Sequence, residues 1–211
     1  RIVGGYETIR PIRTVPIDLQ LGYLRPTILA PGGAFQRSFP NARDVFIGDP
    51  VYSLAEQPSF LHQELSITSD TRDFPAYPTD GGVYRAVFAA YSDRGAGVFN
   101  FKRYEAEAAR FTRLPGTGVV LAVRGWLAAS DAADGQNVPF YFEPSLGGAN
   151  TLRSYADYRF HDRNMLVLNL ETRVALMTHV DAAVFLDAGN VAPRVGDLNL
   201  DKRSYGVGLR M

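Results

Sequence analysis

The sequence predicts an all-β fold of antiparallel strands. Short segments alternate apolar and polar residues, which places the two kinds of side chain on opposite faces of a strand. Turn sequences rich in Gly, Pro, Asp and Asn separate these segments. The 211-residue chain has 12% aromatic residues, 20 glycines and 13 prolines, a profile typical of many short strands and turns rather than a helix bundle.

The predicted strands follow one another along the chain with turns between them. In the clearest of them, Leu65 and Ile67 lie opposite Glu64 and Ser66. One segment contains the helix-like run Glu-Ala-Glu-Ala-Ala, but the strand–turn rhythm around it favours a strand. We predict about nine strands, at residues 1–9, 16–25, 61–72, 82–93, 98–111, 118–128, 164–177, 180–190 and 203–211. A Pro- and Gly-rich loop is expected at 26–60.

A long segment at about 129–163 lacks strand-like alternation. Loops of this length in compact domains are usually functional or disordered. The segment contains Gly147 and Gly148. Arg153 follows them, between Leu152 and the aromatic residue Tyr155. We predict that the loop folds back onto the protein with Arg153 as its anchor. On local composition, a solvated loop with an incidental arginine is the alternative.

Charge and composition argue against several classes of function. The 22 basic residues balance the 22 acidic ones, so no nucleic-acid partner is indicated, and without cysteine neither a disulfide nor a thiolate metal site can form. The three histidines are scattered. Glu105 and Glu107 share a strand face as glycosidase carboxylates would, but Arg103 beside them favours a charged wall. We expect no enzyme activity, no catalytic residues, no metal and no cofactor.

Two features favour a transmembrane β-barrel over a soluble β-sandwich or lipocalin-like barrel, which stays the alternative. If connections alternate between two sides, the long ones (26–60, 129–163 and 191–202) fall together with one short exception near 94–97, as in outer-membrane barrels. The polar strand faces also carry charges of both signs, which suits a wide polar interior. These charges are Glu64, Asp70, Arg85, Arg103, Glu105, Glu107, Arg124, Glu171, Arg173 and Asp187.

From about residue 61 onward, the chain resembles the BamA/TamA superfamily of outer-membrane assembly barrels, also called the bacterial surface antigen family. The order and spacing of three blocks carry the resemblance. Gly147-Gly148 and Leu152-Arg153-Ser154-Tyr155 are similar to the family's Gly-Gly segment and its Val/Leu-Arg-Gly-Phe/Tyr loop motif. The other blocks are 170–173, and 185–191 together with 205–210.

The resemblance implies a sixteen-stranded antiparallel barrel whose motif loop enters the lumen from outside. In that family the motif arginine pairs with acidic residues on the next two strands, which match Glu171 and Asp187 here. Ser154 stands where the motif has glycine, and serine is less suited to close backbone approach or positive φ. We therefore expect residues 1–211 to form a partial, apparently truncated barrel domain with a lumen-directed loop and an altered loop tip.

The resemblance also implies a function at the bacterial outer membrane of a Gram-negative envelope. The barrel would assist assembly or insertion of outer-membrane proteins without cofactor or covalent chemistry. Its expected partners are membrane lipid, unfolded outer-membrane protein clients, and periplasmic or lipoprotein accessory subunits. A barrel that anchors a fused enzyme or exports a partner protein is the main alternative, and a soluble β-barrel binding protein is another.

Overall fold

Eight long antiparallel strands form one sheet in a computed structural model, which describes residues 2–8, 59–177 and 180–210. A second, two-stranded sheet consists of short strands within the long connection. The strands are β1 (Ile2–Thr8), β2 (Ser59–Asp70), β3 (Gly81–Asp93), β4 (Phe101–Leu114), β5 (Val119–Ala132), β6 (Ser145–Leu146), β7 (Phe160–His161), β8 (Asn164–Met177), β9 (Val180–Ala192) and β10 (Lys202–Arg210).

The all-β antiparallel prediction is confirmed. The large sheet has the order β1-β2-β3-β4-β5-β8-β9-β10, so strands adjacent along the chain pair, and β6 and β7 form a small hairpin between β5 and β8. The helix-like Glu-Ala run is extended within β4. Strand β5 continues to Ala132, which shortens the predicted long connection to 133–163. The predicted strand at 16–25 and nearly all of the predicted loop at 26–60 lie outside the described residues.

The two faces of the large sheet differ in polarity, as the alternation of the sequence requires. We call the face covered by residues 133–163 the inner face and the opposite face the outer face. On β8, Glu171 and Arg173 point to the inner face, whereas Leu168 and Leu170 are exposed on the outer face. Other exposed apolar side chains of the outer face are Leu65, Ile67, Tyr84, Phe88, Tyr104, Leu121, Val123, Val184 and Leu186.

Of the described connections in the large sheet, the longest, 133–163, lies at one end, although 71–80 at the other end is longer than 94–100 and 193–201. Residues 94–100, 133–163 and 193–201 connect strands at one end, which we call the long-loop end. Residues 71–80 and 115–118 connect strands at the opposite, short-turn end. In the part of the chain that the structure describes, no helix is long and apolar enough to cross a bilayer.

The buried apolar residues lie mainly between the long connection and the inner face. One cluster joins Val138 of the connection to Phe60, Tyr91 and Phe101 on β2, β3 and β4. A second cluster joins Leu146 and Leu152 to Ala128, Met165 and Val167 on β5 and β8. Burial of these side chains therefore holds the connection against the sheet in two places.

Candidate functional site

The loop motif begins with two glycines whose backbone conformations favour glycine. Gly147 has φ +122° and Gly148 has φ +84°. Residues with a Cβ atom rarely adopt such positive values. A Cβ atom on Gly147 would overlap the backbone oxygen of Ala156, and one on Gly148 would overlap the carboxylate of Asp157. The glycine pair therefore allows the chain at residues 147–148 to lie close to Ala156 and Asp157.

Local hydrogen bonds close the loop around this pair. The N–H of Gly148 donates to the carbonyl oxygen of Tyr155 at 2.9 Å, and the N–H of Tyr155 donates to that of Leu152 at 3.1 Å. The hydroxyl of Thr151 bonds the backbone of Gly147 at 2.8 Å. These bonds form a compact turn that directs Arg153 toward the sheet.

Arg153 binds the carboxylate of Asp187 on β9 with both its backbone and its side chain. The N–H of Arg153 lies 3.1 Å from Oδ2, Nε lies 3.0 Å from the same oxygen, and Nη2 lies 2.7 Å from Oδ1. The side chain of Asp187 is 0% exposed. A two-pronged, charge-assisted contact of this kind fixes the orientation of the arginine as well as its position.

The same guanidinium also bonds the neighbouring strand. Nη1 of Arg153 donates to Oε2 of Glu171 on β8, and Cζ lies 3.7 Å from the ring centroid of Phe185. Burial lowers the pKa of Arg153, but the hydrogen bonds and charges of Asp187 and Glu171 outweigh burial and raise that pKa above its ordinary value. Arg153 is therefore a permanent cation held between two carboxylates.

Two further residues complete the surroundings of Asp187, and the sequence analysis did not select them. Asn169 donates from Nδ2 to Asp187 at 2.9 Å and to the carbonyl oxygen of Thr151 at 2.7 Å. Ser204 on β10 donates its hydroxyl to Asp187 at 3.0 Å. Asn169 and Ser204 each pair in register with Asp187, so a correct strand alignment would have identified them.

The remaining residues of the predicted motif have different surroundings. Leu152 is fully buried, and Tyr155 packs edge-on against Phe160 with ring centroids 5.2 Å apart. Ser154 is exposed, and Tyr158 is the one non-glycine residue of the described chain with positive φ. Serine at this position therefore has no backbone strain that glycine would relieve. The expected disturbance of the loop tip is not visible in the arrangement of Arg153.

Other arginines of the inner face bind the loop through its backbone. Arg124 on β5 donates from Nη1 to the carbonyl oxygen of Asn150 at 2.7 Å. Arg103 on β4 donates from Nη1 to the carbonyl oxygen of Phe142. The ring of Phe142 also packs against the stacked pair Tyr91 and Phe101. The loop is thus attached to β4 and β5 as well as to β8 and β9.

The inner-face glutamates considered above as an acid–base pair are both ion-paired. Nε of Arg103 lies 2.6 Å from Glu105, and Nε of Arg124 lies 2.7 Å from Glu107. Among residues 2–8, 59–177 and 180–210, no three His, Asp or Glu side chains come together as metal ligands would. The geometry is that of a charged wall carrying a docked loop.

The chain resembles known proteins in both sequence and fold. Residues 51–211 match the family model of the Omp85 superfamily domain. The structure is similar to that of BamA from Haemophilus ducreyi lacking POTRA domains 1-3, with a TM-score of 0.62 and 18% sequence identity. The similarity covers 72% of this chain and 36% of the BamA chain, so this chain spans about a third of that protein. No curated protein sequence matches significantly.

The family match and the structural match agree with the motif blocks on which the resemblance to the BamA/TamA superfamily rests. The family model includes Gly147, Gly148, Arg153, Glu171 and Asp187, because it extends over three quarters of the chain. The structural similarity shows that the strands of this chain have the same fold as part of the BamA structure. This chain therefore belongs to the Omp85 superfamily.

Proposed function

We propose that this chain is part of a bacterial outer-membrane β-barrel that assists insertion or assembly of outer-membrane proteins. The observation that carries the proposal is the attachment of the loop by Arg153 to Asp187 and Glu171 on two adjacent strands. Such an attachment positions a loop inside the barrel lumen and stabilises the wall around it. Gly147, Gly148, Leu152, Ser154 and Tyr155 shape or flank the anchor.

The outer face supports a location in lipid. Its large apolar side chains are exposed on several neighbouring strands, including Leu168, Leu170, Val184 and Leu186. A continuous apolar surface of this kind is characteristic of a membrane or interaction surface. Charged residues occupy the inner face of the same strands, which is the alternation of an outer-membrane barrel.

The proposed role involves no covalent chemistry and no cofactor. The inner-face charges that a hydrolase would use as acid and base are engaged with arginine, as in Glu105 with Arg103 and Glu107 with Arg124. Their carboxylate oxygens therefore bond guanidinium groups and are not placed as an acid and a base would be. We propose unfolded outer-membrane proteins as clients, and periplasmic or lipoprotein subunits as accessory partners.

Reconstitution of the full-length protein into liposomes tests the proposal. Wild-type protein should accelerate folding of an added, urea-unfolded outer-membrane barrel, measured by its heat-modifiable migration on a gel. Arg153→Ala should lose most of this acceleration because the loop is no longer held. The matched control is Arg110→Ala, which removes an arginine whose side chain is 55% exposed and should leave the rate unchanged.

The same preparation separates the proposal from the main alternative. If the wild-type protein is in the membrane fraction but accelerates folding of no client barrel, the insertion role is wrong. Export of one partner protein across the liposome membrane would then favour a secretion pore. Recovery of the full-length protein in the soluble fraction without detergent would contradict both membrane roles.

A further inference from the structure

Two basic residues lie at the long-loop end of the outer face, on strands that are far apart in the sheet. Lys102 is the second residue of β4, and Arg203 is the second residue of β10. Both side chains are exposed. Two residues further along the same face of each strand, Tyr104 is 44% exposed and Tyr205 is 80% exposed. The outer face thus carries the same pair, a cation followed by a tyrosine, on two strands.

The charges of Lys102 and Arg203 are not neutralised within the described chain. Among residues 2–8, 59–177 and 180–210, neither of them forms a salt bridge, although Asp131 on β5 lies opposite Lys102 in register. Nε of Arg203 donates to the carbonyl oxygen of Leu200 at 3.2 Å, which is a neutral partner. Each cation can therefore bind an anion from outside these residues.

The strand register places the two cations at different positions along the strands. Arg203 is in register with four residues on the strands from β9 to β4, namely Ala188, Leu168, Gly125 and Ala108. Lys102 precedes Ala108 by six residues, which corresponds to roughly 20 Å along β4.

The line that joins Lys102 to Arg203 therefore crosses the strands obliquely. Strands β5, β8 and β9 lie between β4 and β10, which makes four strand spacings. Four spacings correspond to roughly 19 Å across the sheet. Since the distances along and across the strands are similar, the line makes an angle of about 45° with them. Strands of outer-membrane barrels are tilted by about 35–45°, so a line in the plane of the membrane has this direction.

The same line separates polar from apolar residues on the three intervening strands. At positions that continue the outer-face series, the residues on its long-loop side are Asp131, Asn164 and Asn190. The next residues of the series, on its short-turn side, are Ala129, Leu166 and Ala188. Five neighbouring strands thus share one oblique boundary. Water on both sides of that boundary would not require it to follow the tilt of a membrane strand.

We propose that Lys102 with Tyr104, and Arg203 with Tyr205, form a binding surface for the phosphate groups of membrane lipids. The two cations contact lipid phosphates at the long-loop side of the bilayer. The tyrosine rings lie one step closer to the hydrocarbon, and the outer-face residues beyond them contact acyl chains. This surface rests on the proposed location of the outer face in lipid and names the lipid group that it binds.

The chemistry of both side-chain types fits this partner. Lysine and arginine bind phosphate through charge-assisted hydrogen bonds. Their long stems can lie along an apolar surface while the charged head reaches the polar layer. Tyrosine has an apolar ring and a polar hydroxyl, and it is enriched where hydrocarbon meets the headgroups. Charge complementarity therefore favours a phosphate-bearing lipid as the occupant of this surface.

Spin-label depth measurements test whether the two cations lie at one level. The chain has no cysteine, so Lys102→Cys, Arg203→Cys and Ala108→Cys each give one label in this segment of the full-length protein, with any cysteine elsewhere replaced by serine. In phospholipid vesicles, collision with oxygen and with a nickel chelate should place labels 102 and 203 at the same headgroup depth. Label 108 should lie roughly 14 Å deeper, although Ala108 is in register with Arg203.

A comparison of two lipids tests the contact with phosphate. Lys102→Gln combined with Arg203→Gln should lower the urea midpoint of the full-length protein in phosphatidylglycerol vesicles. The midpoint should not change in galactolipid vesicles, which contain no phosphate. Arg194→Gln is the matched control, because Arg194 is an exposed arginine in the connection 193–201. It should leave the midpoint unchanged in both lipids.

The outcomes separate this surface from the function on which it rests. Equal depths at 108 and 203 would overturn the common level of the two cations. An unchanged midpoint in phosphatidylglycerol, or an equal decrease in galactolipid, would overturn the phosphate contact. If the depths and midpoints are as expected but no client barrel folds faster, the insertion role is wrong and the lipid surface stands. Recovery of the protein in the soluble fraction would contradict both.

Discussion

Arg153 and Asp187 are joined by three hydrogen bonds, one from the backbone and two from the guanidinium of the arginine. The carboxylate is fully buried, and Asn169 and Ser204 donate to it as well. The loop and the sheet therefore meet at a carboxylate whose hydrogen-bonding capacity is filled. Loss of the arginine would leave a buried charge that the two neutral donors cannot balance.

Arg153→Ala should lower the free energy of unfolding by about 3–5 kcal/mol, because it leaves Asp187 buried without its counter-charge. Arg153→Lys should restore only part of this loss, since an ammonium cannot form the two-pronged contact. Urea titration of the refolded barrel in detergent measures both. Arg110→Ala, as the control, should cost less than about 1 kcal/mol. Equal stability of Arg153→Ala and wild type would contradict the anchor.

Gly147→Ala should destabilise the protein more than Gly135→Ala. Both glycines have positive φ, +122° and +78°, so both substitutions carry a conformational cost of about 1–3 kcal/mol. The Cβ added at Gly147 would overlap backbone, whereas at Gly135 it meets open space. The difference between the two midpoints of urea unfolding reports the close approach together with the larger φ of Gly147. Similar midpoints would show that the loop accommodates a methyl group there.

Leu168→Arg should cost about 2–4 kcal/mol if this outer-face residue lies near the bilayer midplane. Val174→Arg is the matched control, because Val174 lies on the same face nearer the end of β8 and should cost about 0–1 kcal/mol. Reversible unfolding in lipid vesicles compares the two. A neutral effect of Leu168→Arg would exclude the lipid-facing assignment of this strand face.

The stability provided by Asp73 should decrease in acid. Hydrogen bonds from the hydroxyl of Thr79, and from the N–H groups of Thr79, Asp80 and Phe74, hold the pKa of Asp73 well below its usual range. A carboxyl with a depressed folded pKa stabilises the fold above its unfolded pKa of about 3.9. That contribution is lost as pH falls through the folded pKa.

Comparison with Asp73→Asn isolates this contribution from other titrating groups. Wild type should have the higher melting temperature at neutral pH, and the difference should shrink as pH falls below about 4. Heat-modifiable gel migration at a series of pH values measures it. A difference that is the same at every pH would mean that the charge of Asp73 contributes nothing.

The faces of the strands could be predicted from the sequence because alternation is a local property. Period two alone predicts that Leu65 and Ile67 lie opposite Glu64 and Ser66, and Leu65 and Ile67 are exposed on the outer face. The close approach of Gly147 and Gly148 to Ala156 and Asp157 is visible only in the structure. The identity of Glu171 and Asp187 as partners of Arg153 came from family resemblance, since local sequence contains no strand register.

Long-range relationships depended on the tertiary structure. Asn169 and Ser204 surround Asp187 because three strands align there in register, and no short segment of the sequence contains that alignment. Arg173 reaches Pro78 because residues 71–80 bend across two intervening strands. By itself, the sequence determined where most of the long strands lie and which face their side chains take. Strand pairing, which fixes distances between residues far apart in the chain, decided which charges meet.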